Sequence, residues 1–171
     1  MASDAKKAAT ADYLEFAAAR SSALLRTACL LTGDWHLAED LVQETLGKVY
    51  VSWRRVSAAD SPAAYAHAIL VRTFMSYRRK RSSGETPTGE LPERVYEADD
   101  PGLRLTLLDG LARLSEKDRA VLVLRYWEDC SVEEAAAVLK MSPSTLRVRS
   151  LRALRRLRAL LGDQLAELAQ R

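Results

Sequence analysis

The chain has 171 residues, 48% of them apolar, with 7 glycines, 5 prolines and a net charge of +3. That length suits one ordinary domain or two small helical ones. Its longest apolar runs fall far short of the ~20 residues that a membrane span needs. The opening MASDAKKAATADY lacks the apolar core of a secretion signal, so the protein is expected to be cytoplasmic.

Sparse glycine and proline, with few segments alternating at a strand period, predict an all-α protein. Residues 1–10 are expected to be disordered. A first helix is predicted from about Asp12 to Leu31, with Leu14, Ala17, Ala18, Leu24, Leu25, Ala28 and Leu31 on its inner face. Gly33 suits the left-handed residue that ends it, and Asp34 can cap the next helix, which runs to about Arg55. Ala38, Leu41, Val42, Thr45, Val49 and Trp53 form the packing stripe of that second helix, leaving Glu39, Asp40, Gln43, Glu44 and Lys48 off it. Ser61 and Pro62 open a third helix to about Arg81, which ends in Tyr77-Arg78-Arg79-Lys80-Arg81. Four cations in succession exceed what a helix C-terminus needs. With Tyr65, Phe74 and Tyr77 they suit unstacked bases and the adjoining backbone. Phe74 also reads as core, and Tyr65 fits either role.

Residues 83–102, SGETPTGELPERVYEADDPG, hold three prolines, three glycines and six acids against one arginine, and read as an extended acidic linker. On either side the balance reverses: residues 1–82 carry 12 Lys/Arg and 8 Asp/Glu, and residues 103–171 carry 13 and 9. The predicted layout is therefore two small helical domains, 11–82 and 103–162, with a frayed helical tail over 163–171. Cys29 and Cys130 are far apart in sequence and read as free thiols. His36 and His67 have no ligand-spaced neighbours, so no metal, cofactor or catalytic constellation is expected.

The second domain begins with a helix carrying Leu105, Leu108, Leu111 and Leu114, and Ser115 with Asp118 signals the start of another. Ser131 and Glu134 then stand at capping-box spacing ahead of Val132, Ala135, Ala136 and Leu139. After Lys140 and Met141, Ser142 and Pro143 open a last helix. Leu146, Ala153, Leu154, Leu157, Leu160 and Leu161 share one arc of it. Arg147, Arg149, Arg152, Arg155, Arg156 and Arg158 occupy the rest, with no acid between Leu146 and Leu161. The pattern is a helix-turn-helix whose second helix suits the major groove of DNA. Residues early in such a helix reach base edges and later ones grip phosphate. Ser144, Arg147, Val148 and Arg149 are thus base-reading candidates, and Arg152, Arg155 and Arg156 backbone candidates. Val148 alternatively packs on the preceding helix.

GDWHLAEDLVQETLGKVYVSW at 33–53 and LSEKDRAVLVLRYWEDCSVEEAAAVLKMSPSTLRVRSLRALRRLR at 114–158 together resemble bacterial sigma factors of the extracytoplasmic function (ECF) group, in order and over nearly the whole chain. The SYRRKRSS ending of the third helix is similar to an actinobacterial subgroup. The resemblance implies a promoter-specificity subunit of RNA polymerase, not an enzyme, serving a stress or developmental response. It implies docking of Glu39, Asp40, Gln43 and Glu44 on the clamp helices of core polymerase, and a further contact with its flap. It implies capture of the melted −10 element by Tyr65, Arg72, Tyr77, Arg78, Arg79, Lys80 and Arg81. Reading of the −35 duplex falls to Ser142, Ser144, Thr145, Arg147, Val148, Arg149, Arg152, Arg155 and Arg156. Core polymerase, promoter DNA and an anti-sigma factor are the implied partners, without membrane insertion. The acidic linker either threads a basic nucleic-acid path or is a solvated tether.

The chain departs from the family pattern at three places. Lys140 and Ser144 stand where glycines are usual, and Arg72 where asparagine is frequent. A left-handed lysine costs roughly 1 kcal/mol, so a rebuilt turn at Lys140 is expected. The alternative function is a stand-alone helix-turn-helix regulator. A small nuclease would need clustered carboxylates or histidines that the helical positions do not supply.

Overall fold

The computed structural model describes residues 1–81 and 101–169, and among these the secondary structure is helical throughout. The acidic linker falls outside the described residues except for its end. Pro101 and Gly102, predicted as linker, instead open a helix, and proline at the first helical position loses no needed donor.

Helix α1 runs Ala2–Thr32, longer at its start than predicted. Residues 2–10, expected to be disordered, are helical, because Ala and Lys are strong helix formers and extending an existing helix needs no new nucleus. Leu14, predicted to face inward, is 60% exposed. Tyr13 and Phe16 pack in its place, with the Tyr13 hydroxyl donating to the Leu46 carbonyl at 3.0 Å and the Phe16 ring 5.1 Å from that of Trp53. Burial and the neighbouring Tyr50 push the Tyr13 phenol above its ordinary pKa.

Gly33 is left-handed (φ 67°) and ends α1. The Asp34 side chain then accepts from the Leu37 N–H at 2.9 Å, starting α2 (Trp35–Val51). The predicted run to Arg55 is interrupted at Ser52, a weak helix former, and resumes as the short α3 (Trp53–Ser57). Helix α4 spans Pro62–Arg81 and buries Ala66, His67, Leu70, Val71, Thr73 and Phe74 against α1 and α2.

The second half comprises α5 (Pro101–Ala112), α6 (Glu116–Leu122) continued by one π-helical turn (Val123–Trp127), α7 (Val132–Leu139) and α8 (Pro143–Ala169). The capping box is formed: Ser131 Oγ accepts from the Glu134 N–H at 3.1 Å, and Glu134 Oε2 accepts from the Ser131 N–H at 2.7 Å. Those bonds hold the Glu134 carboxyl below its ordinary pKa. Their support is therefore present at neutral pH and is lost as pH falls through that lowered value. The turn is not rebuilt. Lys140 itself adopts the left-handed conformation (φ 53°, ψ 48°), its N–H closing on the Ala136 and Ala137 carbonyls.

The two halves share one buried apolar cluster, from Leu24 and Phe74 through Leu124 to Leu146. Arg119 links them. Its guanidinium donates to the carbonyls of Leu111 (2.8 Å) and Ala112 (3.2 Å) at the end of α5 and of Leu114 (3.2 Å) just beyond it, and to Leu31 (2.5 Å) in the last turn of α1. Carbonyls at a helix C-terminus have no partner within the helix, so one buried cation completes two helix ends. A second link is the Glu128 carboxylate, which accepts from Thr27 Oγ1 at 2.5 Å and lies 2.7 Å from His67 Nδ1.

Candidate nucleic-acid interface

Helix α8 is built to present one face. The Ser142 hydroxyl accepts from the Thr145 N–H at 3.2 Å and meets the hydroxyls of Thr145 (2.8 Å) and Ser144 (3.1 Å), grouping three hydroxyls at its N-terminus. Leu146, Ser150, Ala153 and Leu157 are buried and fix the rotation of the helix. Arg147, Arg152, Arg155, Arg156 and Arg158 are then exposed on the opposite arc. Val148 is 51% exposed on that arc and is not among the residues packed on the buried apolar cluster, contrary to the alternative reading in which it packs on the preceding helix.

Arg149 differs from the other arginines. At ~100° per residue it falls at the edge of the packed arc, half-buried, and its Nη1 bonds Asp118 Oδ1 of α6 at 2.8 Å. Arg147 pairs with Glu133 of α7 at 3.1 Å, both side chains largely exposed, a geometry that contributes little to stability. Beside Arg149 a recess of about 460 Å³ opens, lined also by Asp118, Ser144, Thr145, Val148 and Arg152. Sequence reasoning missed Leu151, 52% exposed one turn beyond Val148. An apolar residue at that spacing on a basic face was the available signal. Asp118 was seen only as a capping signal.

On α4, Tyr65 is half-buried against the apolar cluster and Phe74 is fully core. Arg72 is exposed and shares the Tyr65 side of the helix, seven residues on, whereas Tyr77 is half-buried and turned toward the packed side. Arg72 lines a cleft of about 880 Å³ with Lys117, Lys140 and Arg149 of the second half, so the fold brings candidates from both halves to one cleft. Arg78, Arg79, Lys80 and Arg81 lie in the final turn of α4, and their side chains fall outside the described residues.

A different surface lies on α2. Glu39, Asp40, Gln43 and Glu44 are all exposed, opposite buried Leu37, Ala38, Leu41, Val42 and Thr45. Glu44 bonds Lys48 at 2.9 Å, and Lys48 also donates to Thr73 Oγ1 at 3.1 Å. Exposed Tyr50 and Val51 continue this face, beyond what the sequence analysis assigned.

Neither cysteine is set up as a nucleophile. Burial and the nearby Glu134 and Glu128 push the Cys130 thiol up to about 11, leaving it protonated at neutral pH, and Cys29 is buried. Among the described residues, no group of His, Cys, Asp or Glu gathers to hold a metal, and no helix is long and apolar enough to cross a membrane.

An exposed acidic and amide face on one helical half and a capped, arginine-faced helix-turn-helix on the other define a two-part, helix-turn-helix class of protein. Residues 17–84 match the Sigma-70 region 2 family and residues 104–157 match Sigma-70, region 4. The chain is 37% identical over 149 residues to the RNA polymerase sigma-E factor of Streptomyces coelicolor, covering 86% of this chain and 84% of that protein. It is 36% identical to the ECF RNA polymerase sigma factor ShbA of Streptomyces griseus, covering 73% and 72%. Its fold is similar to the sigma factor RpoE of Bartonella quintana, solved in complex with the anti-sigma factor NepR, with a TM-score of 0.70, 28% identity, and coverage of 88% of this chain and 97% of that one. The chain belongs to the ECF group of RNA polymerase sigma factors.

Proposed function

We propose that the chain directs core RNA polymerase to a specific set of promoters, docking through α2 and reading the −35 duplex through α8. The observation that carries this reading is the pairing, in one chain, of an exposed Glu39-Asp40-Gln43-Glu44 face with the arginine arc of α8. Carboxylates and an amide in a row can bond the cationic face of a partner coiled coil. The α8 arginines can neutralise phosphates and hold guanine bidentately.

In this reading Ser144, Arg147, Val148 and Arg149 meet the −35 bases, Ser142 and Thr145 contact the same duplex, and Arg152, Arg155 and Arg156 grip its backbone. Tyr65, Arg72, Tyr77 and the Arg78–Arg81 run attend the melted −10 element. The protein works in the cytoplasm, beside the polymerase, and contributes specificity without catalysis of its own. An anti-sigma factor is a fitting regulator, given that the similar RpoE is found with NepR.

Co-elution with core polymerase tests the docking. The unaltered chain should elute with core, and Asp40→Lys with Glu44→Lys should abolish this while leaving the helical circular dichroism intact. Co-elution that survives both reversals overturns the docking face. Specific duplex binding by the free chain, without any association with core, would favour the stand-alone regulator.

A further inference from the structure

Asp118 belongs to the first turn of α6, far from α8 in sequence, and has no place in the promoter contacts assigned above. Its backbone N–H is held by Ser115 Oγ at 3.2 Å, and the positive end of α6 favours a carboxylate there. From that fixed site its Oδ1 takes one N–H of Arg149 at 2.8 Å, with the two side chains 35% and 22% exposed. The Arg147–Glu133 pair has no comparable shelter. One candidate reader is therefore held in place before DNA arrives, and the other is not.

We propose that Asp118 is a positioning residue for −35 readout: its carboxylate holds the Arg149 guanidinium at the wall of the α8 recess and aims its remaining donors at a base edge. The proposal rests on the reading of α8 as the major-groove helix. A guanidinium has five N–H donors in a rigid plane, so committing one to Asp118 leaves others for a bidentate contact. Fixing the rotamer in advance removes an ordering cost that a free arginine meets on binding. The negative charge beside Arg149 also disfavours a phosphate at that spot, so the guanidinium is steered from backbone toward base. Arg152, which lines the same recess, has no such acid bonded to it among the described residues, and remains a phosphate contact.

The test is selection from a randomised −35 library by core polymerase carrying the full chain, with Arg149→Ala, Asp118→Ala, Asp118→Asn and the double variant Asp118→Ala/Arg149→Ala. Asp118→Ala should lower discrimination roughly three- to tenfold at the same base positions that Arg149→Ala affects, and the double variant should be no worse than Arg149→Ala alone. The log–log salt slope should hold or rise for Asp118→Ala, because no phosphate contact is removed and the freed Arg149 can take one. Asp118→Asn retains shape and the Ser115 cap, and should show the same pattern more weakly even if the alanine variant folds poorly. If Arg149→Ala changes base preference while neither Asp118 variant does, or if they weaken all sequences equally, Asp118 serves only to tie α6 to α8 and the proposal is overturned. If Arg149→Ala leaves every preference unchanged, the placement of α8 on DNA fails, and the proposal with it.

Discussion

The Arg119 guanidinium donates to the Leu31 carbonyl oxygen at 2.5 Å, joining residues 88 positions apart and binding the end of α1 to the start of the second half. Arg119 is 5% exposed and also completes the C-terminal carbonyls of α5. Replacing it with methionine keeps bulk but strands the buried Leu31 and Leu114 carbonyls, each costing about 1–3 kcal/mol. Arg119→Met should lower unfolding stability by roughly 3 kcal/mol or more in urea titrations, and Arg119→Lys, which keeps charge but loses the fork, should fall between. A loss below about 1 kcal/mol would mean that these bonds are matched by water in the variant.

Glu128 provides the second tie, to Thr27 on α1 and His67 on α4. Thr27→Val with Glu128→Gln should loosen the halves without unfolding either. Small-angle scattering should then report a larger radius of gyration while helical content is unchanged. An identical scattering profile would mean that the halves hold together without the Glu128 tie.

Gly47 lies mid-helix on the exposed side of α2, and a Cβ there would meet nothing within 4 Å. Gly47→Ala should stabilise the chain by up to about 1 kcal/mol, the helix-propensity difference. If the polymerase sits close against this face, the same variant should bind core more weakly. Increased thermal stability with unaltered core affinity would place the contact elsewhere on α2.

Lys140 holds the left-handed position of the turn between α7 and α8 with φ 53°. Lys140→Gly should raise stability by roughly 1 kcal/mol, because a side chain is strained there and glycine is not. Unchanged or lower stability by thermal denaturation would show that the unfolded-state entropy of glycine cancels the relief.

What could be read from the sequence was local. The Ser131–Glu134 box, the Ser142–Pro143 start and the Gly33–Asp34 junction are each decided within a few residues, and the structure forms all of them. The packed arc of α8 followed from periodicity, which also set which arginines face out. Long-range partners were not legible. Arg119 sits in EKDRAVLVL like any surface cation, yet it is buried because two helix ends converge on it. Asp118 reads as a first-turn acid until α8 is laid beside it. Leu14 fits the helical period but loses its place to Tyr13 and Phe16, whose aromatic partners come from α2 and α3. A left-handed lysine favours a different turn, but Lys140 takes that conformation itself, its N–H bonded to the Ala136 and Ala137 carbonyls and Leu146 buried just beyond it.

The most direct test of the account is transcription itself. Core polymerase reconstituted with this chain should initiate on genomic DNA at a discrete set of sites, and sequencing of the transcript 5′ ends should reveal one shared −35 element and one shared −10 element upstream. Start sites indistinguishable from those of core polymerase alone would contradict the assignment.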